Sequence, residues 1–219
     1  MNIPSTTGDP AKRRQILAAA RHVFLDVGFE RACVDVIAER AGVSKATVYN
    51  HFKEKKGLFV AAVTEESEGM RSQLAHLLTQ TTGNPAVDLQ HAGETLLRFL
   101  VLPNAIAFRR ILISEVGRFP DLGRDYYDKS LRVHRQLLGE YLRRCHDAGQ
   151  IALPDEDAER AAGHYLAMCV SEVVWPLELG IPLDTSEVFI QQTVRAAVNT
   201  FLLACRPLRS GPVASAARG

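Results

Sequence analysis

The 219 residues contain one tryptophan, three methionines and four cysteines. Cys33, Cys145, Cys169 and Cys205 lie far apart and form no Cys-x-x-Cys pair. That argues against a disulfide framework and a structural zinc site, and the four are expected to act as small buried apolar side chains. No apolar run approaches the roughly 20 residues of a membrane span. Residues 1–14 lack the apolar centre of a secretion signal. The chain is therefore expected to be cytoplasmic, with no membrane partner. A Gly-rich phosphate loop ending in Lys-Ser/Thr is missing, as are His-Glu-x-x-His and Gly-x-Ser-x-Gly. Cys145-His146-Asp147 combine triad residue types, but neighbours on a helix point in different directions. His164 and Cys169, five apart, share a helix face only roughly. No catalytic group, metal or cofactor is expected.

No stretch alternates apolar and polar residues with β-branched enrichment, and no proline falls between residues 11 and 84, although there are ten in all. Between the prolines the chain carries apolar residues at helical spacing, so the fold expected is all-α. Ile16, Leu17, Ala20, Val23, Phe24 and Val27 share a face of a first helix, over about residues 11–27, which Gly28 ends. Val34, Ile37, Ala38 and Ala41 share a face of a short second one, stopped at Gly42. Ser44 is placed to cap a third, with Val48 and Phe52 turned inward. Three short helices, the last two joined by Ala41-Gly42-Val43, describe a helix-turn-helix. Further helices are expected over about residues 55–80, 84–101, 103–117 and 119–148. The next is capped by Asp155, with Glu156, Asp157 and Glu159 in its first turn. It runs to about residue 179, with a kink or early end near Trp175 set by Pro176. The last opens at Asp184-Thr185-Ser186-Glu187, which looks like a capping box, and closes at Cys205. The Ala, Gly, Ser, Pro and Arg of residues 206–219 read as a disordered tail.

The overall charge of +1 conceals an asymmetry. Residues 1–59 hold ten Lys and Arg against six Asp and Glu, a net of +4, whereas residues 60–205 hold thirteen against nineteen, a net of −6. A basic first quarter on an acidic remainder suits contact with a polyanion. The short helix of residues 44–49 has few large side chains, as a helix lying deep in the major groove requires. Lys45 can bond guanine or a phosphate, Ala46 lets the backbone approach and can touch a thymine methyl, and Thr47 can serve base or backbone. Tyr49 offers a ring and a hydroxyl, and Asn50 can reach a base edge or the backbone. The opposing reading makes Tyr49 and His51 packing residues at a helix junction, and Lys53, Lys55 and Lys56 a solvated charge run.

Gly28-Phe29, Ile37-Ala38, Ala41-Gly42-Val43-Ser44, Tyr49, His51-Phe52, Lys55 and Leu58 together resemble the DNA-binding signature of the TetR (tetracycline repressor) family of bacterial transcriptional regulators. Residues 109–122 resemble a segment found in part of that family between its sixth and seventh helices. The resemblance implies a flexible arm over residues 1–9, a three-helix DNA-binding domain over 10–57, and a continuous, larger helical effector-binding and dimerisation domain over 58–205. It implies DNA contacts from Ser44, Lys45, Ala46, Thr47, Tyr49 and Asn50, with His51 and Lys55 at phosphates. Cys33 departs from the family's usual Ser or Thr cap of the second helix, so a weaker helix start is expected there. The implied partners are a palindromic double-stranded operator, a second copy of the chain and a small apolar or aromatic effector. The last two helices would form the dimer interface, because Phe189, Ile190, Val194, Ala197, Val198, Phe201 and Leu202 cover more than one helix face. Effector walls are expected from Phe99, Phe108, Ile111, Leu112, Tyr165, Met168 and Trp175, with Glu115, His134 and His164 as polar groups. The function expected is a ligand-responsive regulator, a repressor released when the effector binds. The alternative is an enzyme or small-molecule carrier whose N-terminal bundle is structural only.

Overall fold

The computed structural model describes residues 9–153 and 157–206. Among them every element is helical: α1 (Pro10–Arg31), α2 (Val34–Arg40), α3 (Lys45–Phe52), α4 (Lys55–Glu66), α5 (Glu68–Thr79), α6 (Pro85–Leu100), α7 (Pro103–Glu115), α8 (Pro120–Tyr126), α9 (Arg132–Asp147), α10 (Ala158–Glu178) and α11 (Glu187–Ala204). Local signals set most ends. Asp9, Ser44, Asn84, Asp157 and Ser186 each accept a backbone N–H as a helix cap. Gly28, at φ 79°, breaks α1 where a residue with a Cβ would be strained.

Four expectations need correction. The helix foreseen over 55–80 is two helices. The Ser67 hydroxyl and amide both donate to the Thr64 carbonyl, at 2.8 and 3.2 Å, and the Thr64 hydroxyl bonds back to Val60 at 2.9 Å. These local bonds compete with the helical ladder and break it. The helix foreseen over 119–148 contains a π turn, Tyr127–Leu131, between α8 and α9. α10 runs through Pro176 to Glu178. A proline in the final turn removes only the amide that would donate to the Glu172 carbonyl, while Gly180 at φ 81° closes the end, with Ile181 N–H on the Pro176 carbonyl at 2.9 Å and Gly180 N–H on the Leu177 carbonyl at 3.2 Å. At α11 the capping residue is Ser186, whose amide is itself held by Asp184 at 2.8 Å. The expected cap at Asp155 lies outside the described residues, as do most of the expected arm and tail; Asp157 caps α10.

Two apolar cores result. The first gathers α1 to α4 around Phe59, whose ring lies 5.0 Å from Phe24, 5.2 Å from Phe29 and 6.2 Å from Phe108. Phe108 and Leu112 of α7 and Leu122 of α8 belong to it, so these helices pack back onto the N-terminal bundle. The second joins α5, α6, α9, α10 and α11. At its centre the Tyr165 hydroxyl donates to the Leu89 carbonyl at 2.6 Å, and Tyr141 donates to Asp88 at 2.9 Å. Ile190, Val194, Ala197, Val198 and Phe201, read from sequence as covering more than their own core, face this one.

Candidate functional site

α3 has two faces. Val48 and Phe52 are buried, which leaves Lys45, Ala46, Tyr49 and Asn50 exposed, with Thr47 and His51 half-buried at the edges. Ser44 Oγ accepts from the Thr47 amide at 3.1 Å and lies 2.9 Å from the Thr47 hydroxyl. Lys45 Nζ lies 2.9 Å from Asp35 on α2, and its ammonium holds that carboxyl below its usual range. Both side chains are mostly exposed, so the pair is weak. Cys33 makes no side-chain cap bond to α2, as its chemistry implies. It is exposed, against the expectation that all four thiols are buried, while Cys145, Cys169 and Cys205 are buried and free. Burial pushes the Cys169 thiol up to about 11, which leaves it unreactive.

Lys55 has a second occupation that its sequence context does not reveal. Its ammonium donates to the carbonyls of Glu30 at 2.9 Å and Ala32 at 3.1 Å, and sits 4.8 Å above the Phe29 ring. It ties the start of α4 to the end of α1. Arg13 ties the same helices, lying 3.4 Å from Glu65 and 5.4 Å over the Phe52 ring.

A cavity of about 530 Å³ opens where the two cores meet. Four of the ten residues expected to line it do so: Phe99, Leu112, His134 and Trp175. The other six lie elsewhere. Phe108 fills the N-terminal core and Ile111 packs against it. Tyr165 is wholly inside the second core. His164 and Met168 are exposed on the outer face of α10, and Glu115 sits at the end of α7, where its carbonyl accepts from the Arg118 and Phe119 amides. On α10 Trp175 is joined by Gly163, Leu166, Val170 and Val174, a stripe at helical spacing that the sequence reading did not name. Met70, Leu96, Leu131 and Tyr126 complete much of the wall, the last two from within or beside the π turn.

The cavity's charged groups are largely committed. Arg109 Nε donates to Glu178 at 2.6 Å and its Nη2 to the Leu100 carbonyl at 2.8 Å, and both side chains of this ion pair are about one-tenth exposed. The adjacent Arg110 donates to the Glu178 and Leu177 carbonyls at 2.9 and 2.5 Å, so two arginines of α7 clamp the end of α10. Arg135 Nε donates to the Glu159 carbonyl at 2.9 Å. Burial, reinforced by Arg71, pushes His134 down to about 4, and burial raises the Tyr126 phenol. Among the described residues no cluster of His, Cys, Asp or Glu is arranged to hold a metal, and no helix is long and apolar enough to cross a membrane.

Residues 87–207 match the family described as AefR-like transcriptional repressor, C-terminal domain, and residues 16–62 match Bacterial regulatory proteins, tetR family. The HTH-type transcriptional regulator YvkB of Bacillus subtilis is 33% identical over 150 residues, covering 68% of this chain and 74% of its own. A TetR-family regulator from Mesorhizobium loti has a similar solved structure, with a TM-score of 0.81 at 24% identity over 92% of this chain and 100% of that one. The flavonoid-responsive regulator FrrA gives a TM-score of 0.73 at 29% identity, over 91% and 99%.

Proposed function

The chain belongs to the tetR family of bacterial regulatory proteins, and on that premise we propose that it is a homodimeric repressor which leaves a palindromic operator when a small apolar or aromatic effector fills its cavity. Members of this family are DNA-binding transcriptional regulators and not enzymes, so the enzyme or carrier alternative falls. The observation that carries the proposal is the double duty of α7. Leu112 lines the cavity and also belongs to the N-terminal core, beside Phe108. A ligand that pushes on α7 thus acts on the body that holds α3. The effector shifts a population: it favours the arrangement in which the two recognition helices are wrongly spaced for successive major grooves.

The division of labour follows. Residues 10–57 meet DNA; residues 58–205 take the ligand and the second subunit. Lys45, Ala46, Thr47, Tyr49 and Asn50 face the groove, and Ser44, His51 and Lys55 meet the backbone. The apolar bias of the effector agrees with the cavity walls and with the similarity to FrrA, a flavonoid-responsive regulator. A regulator of this kind works in the cytoplasm, where its operator is.

The test is binding of the purified chain to its own upstream DNA at several salt concentrations, with a thermal-shift ligand screen. Lys55→Ala is expected to weaken binding to all sequences and flatten the salt slope by about one, whereas Lys45→Ala and Thr47→Ala change the preferred half-site. Each effector must bind more weakly in the presence of operator, by the same factor by which it weakens operator binding. A hit indifferent to DNA is no effector, and a chain without salt-dependent DNA binding refutes the reading.

A further inference from the structure

The charged groups of the cavity already have protein partners, and one buried nitrogen among the described residues does not. The Arg109 guanidinium meets Glu178 and the Leu100 carbonyl, and Arg135 meets the Glu159 carbonyl. An anionic ligand therefore faces cations whose charge is shared with carboxylates or carbonyls. His134 differs. It is 6% exposed, belongs to the cavity wall together with Met70 and Leu166, and its Nε2 is a buried nitrogen with no hydrogen-bond partner among the described residues. A buried polar atom without a partner is uncommon and costs stability, so its persistence in a ligand-sized cavity asks for a partner from outside.

Resting on the reading of this cavity as the effector site, we propose that it selects an uncharged aromatic ligand bearing a hydroxyl group, which hydrogen-bonds to His134 Nε2. Aromatic faces are supplied by Phe99, Tyr126 and Trp175, against which a flat ring stacks or packs edge-on. A hydroxyl suits either neutral tautomer of the imidazole, since it accepts from Nε2–H and donates to a bare Nε2. Desolvating a carboxylate against this wall would go uncompensated, because breaking the Arg109–Glu178 pair to meet it strands Glu178. His134 is a neutral imidazole near pH 7, so it brings no charge of its own.

Three probes on one scaffold test this: 4-phenylphenol, biphenyl and biphenyl-4-carboxylate, titrated by calorimetry into the full chain at pH 7.5. The phenol is expected to bind about tenfold tighter than biphenyl, the worth of one hydrogen bond in a dry site, and the carboxylate weakest. In His134→Leu the phenol's advantage should vanish, and in His134→Gln, which carries an amide close to the position of Nε2, part of it should return. Circular dichroism and thermal midpoints confirm that both variants are folded. Equal binding of phenol and biphenyl, tightest binding of the carboxylate, or a preference that survives in His134→Leu overturns the proposal. If Leu166→Trp, which fills the cavity, then abolishes binding, the cavity remains the ligand site and only this proposal falls. If no probe binds, or all bind regardless of Leu166→Trp, both the cavity reading and the proposal fall.

Discussion

His134 shows what one buried side chain contributes when its surroundings disfavour its charge. Burial first, and the charge of Arg71 second, lower it from 6.5 to about 4. The unfolded chain takes up this proton near pH 6.5, while the folded chain resists until about pH 4. Stability tied to the neutral ring is therefore complete above about pH 6.5 and is lost as pH falls towards 4. Denaturant titrations across this range should show His134→Leu losing stability less steeply than the parent chain, by up to about 1.4 kcal/mol per pH unit. At pH 7 the variant should be at least as stable, because leucine leaves no polar atom stranded. Parallel pH profiles would mean that the ring is hydrated in solution. Lys55 illustrates the opposite case, a charge held by the carbonyls of Glu30 and Ala32 and the face of Phe29, so that the phosphate contact proposed for it would share one ammonium group with a structural role.

At the scale of elements, α10 presents three faces to three surroundings. Tyr165, Cys169 and Val173 enter the second core, Leu166, Val170, Val174 and the partly exposed Trp175 line the cavity, and His164 and Met168 lie outermost. Its C-terminal end is fixed to α7 by Arg109 and Arg110, which supply donors where the helix runs out of its own. The ion pair is nearly dry, so its halves depend on each other. Glu178→Ala should cost about 3–5 kcal/mol by chemical denaturation, since it abandons a buried guanidinium, whereas Arg109→Met combined with Glu178→Met should recover most of that loss. A single-variant loss well below 1 kcal/mol would show that water already screens the pair. The clamp spans 69 positions of sequence, and neither residue stands out as a partner of the other until the helices are packed.

Among the described residues, several large apolar side chains on or beside the last two helices are exposed. Trp175 and Leu179 are 63% and 75% exposed, and Val188 and Leu203 are 62% and 58% exposed. Large apolar side chains exposed in this way suit an interaction surface, and the second copy proposed above matches the two-fold symmetry that paired half-sites demand. Val188→Glu combined with Leu203→Glu should give a monomer by light scattering with unchanged helix content, and operator affinity should collapse, because one recognition helix reads one half-site. A double variant that stays dimeric would place the interface on another surface. Of the seven residues read as covering more than one face of the last helix, Ile190, Val194, Ala197, Val198 and Phe201 bury against α6 and α10 of their own chain.

The sequence by itself determined the all-helical class, the three-helix N-terminal bundle with its outward-facing basic helix, and most helix ends. Each of these rests on interactions within a few residues: a serine capping its own helix, a glycine at positive φ, a proline starting a turn, apolar groups recurring every three or four positions. Only the tertiary structure decided which apolar stripe faces what. Tyr165, Leu166 and Met168 are near neighbours of similar character, and one turn of helix sends them to core, cavity and surface; periodicity fixes their relative angles but not the neighbour each meets. The break at Ser67 and the π turn at residues 127–131 depend on which local bonds survive core packing. The joining of α7 to two cores, the Arg109–Glu178 pair and the isolation of His134 arise from segments distant in sequence, and no pattern along the chain records their meeting.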